Sequence, residues 1–204
     1  MMNRRIWATT AAAWLALSAL PMGAMAAEET PDALVKRVSA DVLDTIRNDK
    51  TLKSGDVARV SALVDKVVMP HVNFQRMTAA AVGPKWREAT PEQKQRLQAE
   101  FKALLIRTYS GALAQVNDQT VVVKPMRAAA GDKDVLVRTE VRGKGDPIQL
   151  DYRLEQKDDG AWKIYNLNVL GVWLVETYRS QFAQEINARG IDGLIQALAS
   201  RNKA

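Results

Sequence analysis

The sequence contains one histidine, His71, and no cysteine. A thiol nucleophile, a disulfide, a thiolate metal site and a lipid-anchored cysteine are therefore excluded, as is a metal site built from several imidazoles. A general base at His71 would need a positioned partner, and its neighbours Pro70 and Asn73 do not supply one. We interpret His71 as a structural residue.

Three further groups of residues have types that carry chemistry elsewhere, but each has a simpler interpretation. Asp151 and Glu155 would share one strand face with Arg153, as alternation on a solvated sheet face predicts. Asp158-Asp159-Gly160 offers fewer oxygen ligands than a calcium loop needs. Gly143-Lys144-Gly145 joins two predicted strands and opens no helix, unlike a phosphate-binding loop. The sequence thus predicts no catalytic residues, no metal ligands and no enzyme.

The first 26 residues have the pattern of a secretory signal peptide. Arg4 and Arg5 precede an uncharged apolar run, Ile6 to Leu20, of 15 residues. That run is shorter than the ~20 residues that span a bilayer, and Ala24-Met25-Ala26 places small residues before a cleavage point. We expect cleavage near Ala26, export to the periplasm and one mature domain over 27–204.

The charge balance is basic, with 29 Lys and Arg against 23 Asp and Glu, a formal charge of +6. Loss of Arg4 and Arg5 would leave 27 against 23, or +4. The basic residues are interspersed with acidic ones, whereas a nucleic-acid binder concentrates them on one face. We therefore expect no nucleic-acid partner.

Helical spacing of apolar residues dominates the chain before residue 117. It predicts helices that begin at Thr30, near Val57, at Asn73 and at Thr90. The second should close at Pro70 and the third at Gly83-Pro84. Thr90 and Gln93 have the spacing of a capping box.

From Gln119 the apolar period changes to two. It predicts strands over 120–126, 135–142, 148–155 and 162–169, joined by short turns. After Gly171 the helical period returns as far as Gly190, and Asp192 caps a last short helix. The expected fold is α+β: a four-stranded antiparallel sheet with helices packed on one face.

The apolar strand residues would share one broad face of this sheet. They are Val121, Val123, Val135, Val137, Val141, Ile148, Leu150, Tyr152, Leu154 and Ile164. Periodicity does not distinguish a filled core behind that face from a hollow one. A structural adaptor with a solid core remains open, as does a periplasmic small-ligand module or enzyme on a nuclear-transport-factor-like fold, which would need a polar, acid-bearing pocket.

Three blocks of the sequence carry recognisable motifs in order. They are Phe74 to Gln93 with Val82-Gly83-Pro84-Lys85-Trp86-Arg87, Asp151-Tyr152-Arg153-Leu154 with Trp162-Lys163-Ile164-Tyr165, and Gly171-Val172 through Tyr178-Arg179 to Leu198. Together they resemble the MlaC family of periplasmic phospholipid-binding proteins, also called toluene-tolerance proteins. Asn73 and Asn166 stand where Asp is expected, which keeps capping capacity. Trp173 replaces a small polar residue and would alter the pocket or its entrance.

The resemblance implies a soluble carrier that holds phospholipid acyl chains in an apolar cavity between sheet and helices. It would move lipid between an outer-membrane lipoprotein–porin complex and an inner-membrane ABC transporter with a lipid-binding ring, maintaining outer-membrane lipid asymmetry. No catalysis and no cofactor are implied beyond the transported phospholipid, and we expect a monomer. We predict that the cavity walls comprise Phe101, Leu105, Tyr109, Val137, Val141, Leu150, Tyr152, Ile164, Val172, Val175, Tyr178 and Phe182.

Overall fold

The computed structural model describes residues 29–129 and 131–203. The predicted signal peptide, residues 1–26, lies outside these ranges. The helices are α1 (Pro31–Asn48), α2 (Val57–Leu63), α3 (Phe74–Val82), α4 (Pro91–Ala114) and α5 (Leu174–Lys203). The strands are β1 (Thr120–Val123), β2 (Asp134–Arg142), β3 (Ile148–Gln156), β4 (Trp162–Val169) and β5 (Val172–Trp173). Within the described ranges, no helix has both the length and the apolar character needed to cross a bilayer.

The predicted α+β class is confirmed, although the sheet has five strands where the sequence predicted four. The added strand, β5, has two residues, too few to show a period of two. It forms because Leu170 and Gly171 both take positive φ, 52° and 88°. Such a two-residue turn matches the twist of a hairpin and returns the chain onto β4.

Several predicted helix ends are confirmed by their hydrogen bonds. Thr90 Oγ1 accepts from the Gln93 backbone N–H at 3.2 Å, and Gln93 Oε1 accepts from the Thr90 N–H at 3.0 Å. Asn73 Oδ1 accepts from the Arg76 N–H at 3.0 Å and so caps α3. The predicted break at Gly190 interrupts α5 with φ 71° and ψ −174°.

Two helix predictions need correction. Thr30 precedes α1, but its side chain makes no capping hydrogen bond. The second helix ends at Leu63, and the chain continues as a π-helical turn over Val64–Val68 and a 3₁₀ turn over Met69–His71. Pro70 lacks the N–H that a regular α-helix would use there, which favours the irregular ending.

All neighbouring strands are antiparallel, in the order β1-β2-β3-β4-β5. The register pairs Val137 with Tyr152 and Tyr152 with Leu167. We call the face to which these residues point the apolar face and the opposite one the polar face. The apolar face comprises Val121, Val123, Val135, Val137, Thr139, Val141, Ile148, Leu150, Tyr152, Leu154, Ile164, Leu167, Val169 and Val172.

The helices approach this sheet unevenly. α1 packs on β1 and β2, and α3 and α5 pack on β4. α4 packs mainly against α2, α3 and α5 and makes no comparable approach to a strand in the described ranges. The buried apolar residues accordingly fall into three clusters: a first between α3, α4 and α5, a second between α1 and the sheet, and a third between α1, α2 and α4.

Candidate functional site

The first cluster is centred on the ring of Phe101. Its centroid lies 5.7 Å from that of Phe74, 5.0 Å from Tyr178 and 5.2 Å from Phe182. We call these four residues the aromatic cluster. Tilted and edge-to-face rings at such distances stabilise one another beyond the area they bury. The cluster therefore fixes α3, α4 and α5 as one packed unit.

Six of the predicted wall residues lie in the buried clusters. Phe101, Val175, Tyr178 and Phe182 belong to the first cluster, and each is at most 7% exposed. Val137 and Ile164 belong to the second, beneath α1. These side chains pack against other protein side chains.

The other six predicted wall residues are accessible to different degrees. Leu105, Tyr109, Val141, Leu150 and Tyr152 are half-buried, and we call these five the half-buried lining. Val172 is 52% exposed and stands at the rim. The structure thus separates a core set from an accessible set within the prediction.

On α4, Leu105 and Tyr109 lie on a helix face between two clusters. They follow Phe101 of the first cluster in steps of four residues, and the next step reaches Leu113, which packs against the third cluster. At about 100° per residue, each step of four residues rotates the side-chain direction by about 40° around the helix axis. Leu105 and Tyr109 pack against the edge of the first cluster, on the side of α4 that turns toward the third.

On the sheet, Val141 and Leu150 lie next to strand residues that pack against the third and first clusters. Val141 pairs with Val121, which packs against the third cluster, and Leu150 pairs with Val169, which packs against the first. Val141 and Leu150 themselves belong to none of the three clusters formed by the described residues. Helix α4 and the sheet thus each carry half-buried apolar side chains beside the first and third clusters.

Sequence reasoning missed Leu167 and Val169, which are half-buried on the apolar face. Their parity along β4 changes because the pairing shifts between Arg153 and Leu154, which leaves Tyr165 as an extra residue. Such a bulge is not visible in an alternating pattern. The pattern therefore identified Ile164 alone.

The apolar face opens to solvent at one end of the sheet. Ile148 is 42% exposed, Leu170 64% and Val172 52%. The Leu170 N–H donates to the Gln149 carbonyl at 3.0 Å, which places Leu170 beside Ile148. We call these three residues the open end. Leu170 is the single non-glycine residue with positive φ in the described ranges, an unusual conformation for an exposed leucine.

A small polar group lies within the apolar face. The phenol of Tyr152 lies near the hydroxyl groups of Ser39 and Thr139. Burial raises the pKa of Tyr152, and these two hydroxyls partly offset that rise. Thr139 is fully buried and donates to the Leu150 carbonyl at 2.8 Å. Sequence reasoning missed Ser39 and Thr139, although a threonine between Val137 and Val141 in the apolar alternation was a signal.

The polar face carries the two carboxylates considered above, each with its own partners. The Arg76 guanidinium lies 2.5 Å from Glu155 Oε2 and 3.1 Å from Asp134 Oδ2. Burial alone would raise the pKa of Glu155, but hydrogen bonds from Asn73 and Arg76, with the charge of Arg76, lower it overall. Glu155 is therefore an ion-paired structural residue.

Asp151 was expected on a solvated face, and this expectation is wrong. The residue is on the polar face but only 6% exposed. Its Oδ2 accepts from Gln149 Nε2 at 2.8 Å, and its buried Oδ1 has no hydrogen-bond partner. Its cross-strand neighbour Asn168 is also buried, and Asn168 Oδ1 accepts a hydrogen bond from the Gly171 N–H at the turn into β5.

Trp173 does not face the half-buried lining, contrary to expectation. It pairs with Asn168, which places it on the polar face. The Arg153 guanidinium carbon lies 4.2 Å from its ring centroid, a cation–π contact. Asn166 organises the same corner, since its Oδ1 accepts from the Val175 N–H at 3.2 Å and its Nδ2 donates to Glu176.

Two cavities among the described residues lie elsewhere. An open groove of about 600 Å³ between α1 and residues 66–71 is lined by Asp41, Asp44 and His71. Burial, followed by the charges of Arg37 and Lys163, lowers the pKa of His71. A smaller cavity of about 120 Å³ lies against Phe182 within α5. Neither is the expected apolar chamber, and the described ranges hold no cluster of metal-ligating side chains.

The absence of a permanently open chamber among these two cavities has a physical rationale. An apolar void costs about 24 cal/mol per Å³, so several hundred Å³ would cost on the order of 10 kcal/mol. That exceeds what most small domains can lose.

The chain is also similar to known proteins. The model of the MlaC protein family matches residues 36–200. A solved structure of a phospholipid-binding protein from Ralstonia solanacearum, in complex with a phospholipid, is 50% identical, with a TM-score of 0.81 over 84% of this chain and 96% of that one.

Two curated proteins are also similar. Toluene tolerance protein ttg2D of Pseudomonas putida is 31% identical over 86% of this chain and 81% of its own length. The intermembrane phospholipid transport system binding protein MlaC of Haemophilus influenzae is 22% identical over 83% and 80%. The family match spans most of the chain, so this chain belongs to the MlaC family.

Proposed function

We propose that this protein binds a phospholipid with its acyl chains against the half-buried lining. The carrying observation is that Leu105 and Tyr109 of α4, and Val141 and Leu150 of the apolar face, are apolar side chains that stay half-buried beside the buried clusters. The phospholipid complex of the relative that is 50% identical supports the binding of a phospholipid. We place the headgroup at the open end, where Val172 meets solvent.

The energetics favour a protein of this kind for moving lipid through water. Each exposed methylene costs about 0.8 kcal/mol, so roughly thirty acyl methylenes would cost about 24 kcal/mol bare. Apolar walls remove most of that cost. A few polar groups at the walls are also expected, because a lipid held much more tightly than in a bilayer would not be released.

We further propose that the protein is a soluble periplasmic carrier. In this proposal residues 1–26 are a cleaved signal peptide and 27–204 form one lipid-binding domain that acts as a monomer. It moves lipid between an outer-membrane lipoprotein–porin complex and an inner-membrane ABC transporter with a lipid-binding ring. The similarity to the intermembrane phospholipid transport system binding protein of Haemophilus influenzae supports this role.

Catalysis is not part of the proposal. The alternative, an enzyme or small-ligand module, would need an acid-bearing pocket. The described residues of the apolar face include no carboxylate, and the buried hydroxyl of Thr139 is hydrogen-bonded to the Leu150 carbonyl. An apolar ligand fits such a surface better than a polar substrate.

Native mass spectrometry of protein purified without added lipid tests the proposal. We expect a bound mass in the phospholipid range on the wild type and its loss in Leu150→Glu, since a carboxylate would be buried against acyl chain. Val122→Glu is the matched control, because Val122 is a 36% exposed valine on the polar face. A lipid-free wild type, or a folded Leu150→Glu protein that retains lipid, would contradict the proposal.

A further inference from the structure

The segment Gly83–Arg87 forms a 3₁₀ turn between α3 and α4 and has no part in the proposed function. Gly83 holds φ at 76°, and a Cβ at that position would lie 3.6 Å from Arg179 Nε on α5. The Lys94 ammonium of α4 lies 5.7 Å from the centroid of the Trp86 ring, a cation–π contact. The turn therefore brings together basic side chains from three parts of the chain. We call this group the basic patch, and it comprises Lys85, Trp86, Arg87, Lys94 and Arg179.

Most of the positive charge in the basic patch is not neutralised. Lys85 is paired with Glu88, whose Oε2 lies 2.7 Å from the Lys85 ammonium. Glu92, two residues before Lys94, lies about 200° from it around α4 and so points elsewhere. Within residues 29–129 and 131–203, the basic side chains of the patch that form no salt bridge are Arg87, Lys94 and Arg179. The patch therefore has three uncompensated cations.

Trp86 gives the basic patch an apolar component. Its ring packs against the first cluster and remains half-buried. Tryptophan is enriched at membrane–water interfaces because its indole is amphipathic, and lysine and arginine are attracted to the headgroups of anionic lipids. An acidic protein surface would complement the cations alone, whereas an anionic bilayer complements both the cations and the indole.

The basic patch lies close to the open end. Val172 is 52% exposed and belongs to β5, and α5 begins two residues later at Leu174. Arg179 is in the second turn of α5, so its Cα lies no more than about 16 Å from that of Val172. A surface that meets the basic patch is therefore near the place where we put the headgroup of the bound lipid.

We propose that the basic patch docks the protein onto the surface of a bilayer that contains anionic phospholipids, with Trp86 at the level of the headgroups. The docking itself is independent of the proposed function, but its use for lipid exchange at the open end rests on that function. The contact should weaken with added salt, because exposed charges are screened over about 10 Å at 0.1 M ionic strength. A weak contact suits a carrier that has to leave the membrane again.

Flotation of the purified protein with vesicles tests the docking. One set of vesicles is pure phosphatidylcholine, and the other contains phosphatidylcholine mixed with phosphatidylglycerol. We expect the wild type to bind the anionic vesicles at low salt and to be released at high salt. Each cation near an anionic surface is worth about fivefold in affinity. The triple variant Arg87→Gln/Lys94→Gln/Arg179→Gln should therefore bind about a hundredfold more weakly.

A matched triple variant removes the same charge elsewhere. It changes exposed cations that form no salt bridge among the described residues, Lys50→Gln/Lys53→Gln/Arg59→Gln. These positions lie around Gly55, where a Cβ would be 3.9 Å from the Ala114 side chain. Ala114 is about 30 Å along α4 from Lys94. Since salt screens charges at such a distance, the control should weaken vesicle binding by no more than about threefold.

Tryptophan fluorescence identifies the residue that meets the bilayer. In the wild type, emission should shift to the blue when anionic vesicles are added, because the Trp86 indole loses contact with water. Trp86→Phe keeps an aromatic ring against the first cluster and should abolish the shift. Trp162→Phe, at the start of β4, should leave the shift unchanged. A shift that persists in Trp86→Phe would contradict the proposed orientation.

The outcomes separate the docking from the proposed function. A wild type that binds anionic vesicles no better than phosphatidylcholine overturns the docking, as does equal weakening by the two triple variants. Binding of polyglutamate without binding of vesicles would assign the patch to an acidic protein surface and also overturns it. Native mass spectrometry should still show bound lipid on the patch variant, because the half-buried lining is unchanged. Leu150→Glu should lose that lipid and still float, and a lipid-free wild type that floats contradicts the proposed function alone.

Discussion

The aromatic cluster and the half-buried lining are built from the same kinds of residues, yet they are packed differently. Phe101, at the centre of the cluster, is fully buried, whereas Tyr109, two turns further along α4, is half-buried. The ring of Phe101 has three aromatic neighbours within 5.7 Å. On one helix, the first residue therefore serves stability, and in the proposed function the second contacts the ligand.

This contrast shows how a small domain can present an apolar site without losing its fold. The aromatic cluster holds α4 against α3 and α5, so α4 does not need the sheet for support. Close packing at one place allows looser contact at another. Substitutions in the aromatic cluster should therefore lower stability more, and substitutions in the half-buried lining should lower lipid binding more.

The largest expected effect is on stability, in Phe101→Ala. Removal of a fully buried ring that contacts Phe74, Tyr178 and Phe182 should lower the free energy of unfolding by about 3–5 kcal/mol. Urea denaturation followed by circular dichroism measures this. A loss below about 1 kcal/mol would show that the cluster does not hold the helices together.

A matched pair on the sheet sharpens the comparison. Val137→Ala removes two buried methyl groups beneath α1 and should cost about 2 kcal/mol. Leu150→Ala removes a larger but half-buried group and should cost about 1 kcal/mol or less. In vesicle extraction the order should reverse, with Leu150→Ala losing more lipid than Val137→Ala. Equal effects of the two variants in both measurements would contradict the distinction between buried and half-buried residues of the apolar face.

Much of this division could be predicted from the sequence, and part of it could not. The alternation of Val135, Val137 and Val141 identified the apolar face, and the capping box fixed the start of α4. The split of the predicted walls into buried and half-buried residues depends on how far α4 stands from the sheet. Local periodicity carries no information about that distance.

Two other features were hidden for local reasons. The bulge at Tyr165 reverses the parity of β4 and removed Leu167 and Val169 from the prediction. Trp173 was expected at the pocket or its entrance because it departs from the family pattern, and the two-residue strand β5, too short to recognise in the sequence, places it on the polar face instead. In both cases one residue of register determines the face.

A smaller effect on stability is expected when acid protonates Glu155 on the polar face. The pKa of Glu155 is lower in the folded protein than in a free glutamate, so its contribution is present above about pH 4.3 and is lost as the pH falls through the folded pKa. Glu155→Gln should remove this part of the acid sensitivity and lower stability at neutral pH by about 1 kcal/mol.

The measurement for Glu155 is the free energy of unfolding as a function of pH, for wild type and variant. The two curves should converge at low pH, where the wild-type carboxyl is protonated. Lipid extraction should be unchanged, because Glu155 and Arg76 lie on the polar face. Curves that stay parallel through the acid range would contradict the role of the ion pair.

The smallest expected effect is a gain in stability at the open end. Leu170 is 64% exposed and holds φ at 52°, a conformation that costs an ordinary side chain roughly 1 kcal/mol but suits asparagine. Leu170→Asn should therefore raise the free energy of unfolding by about 0.5 kcal/mol. If the open end exists for lipid exchange, the same variant should exchange lipid with vesicles more slowly while holding it as well as wild type does. A variant that is more stable and exchanges lipid at the wild-type rate would show that Leu170 contributes neither to stability nor to lipid exchange. The region proposed to contact lipid would then extend only as far as Val172.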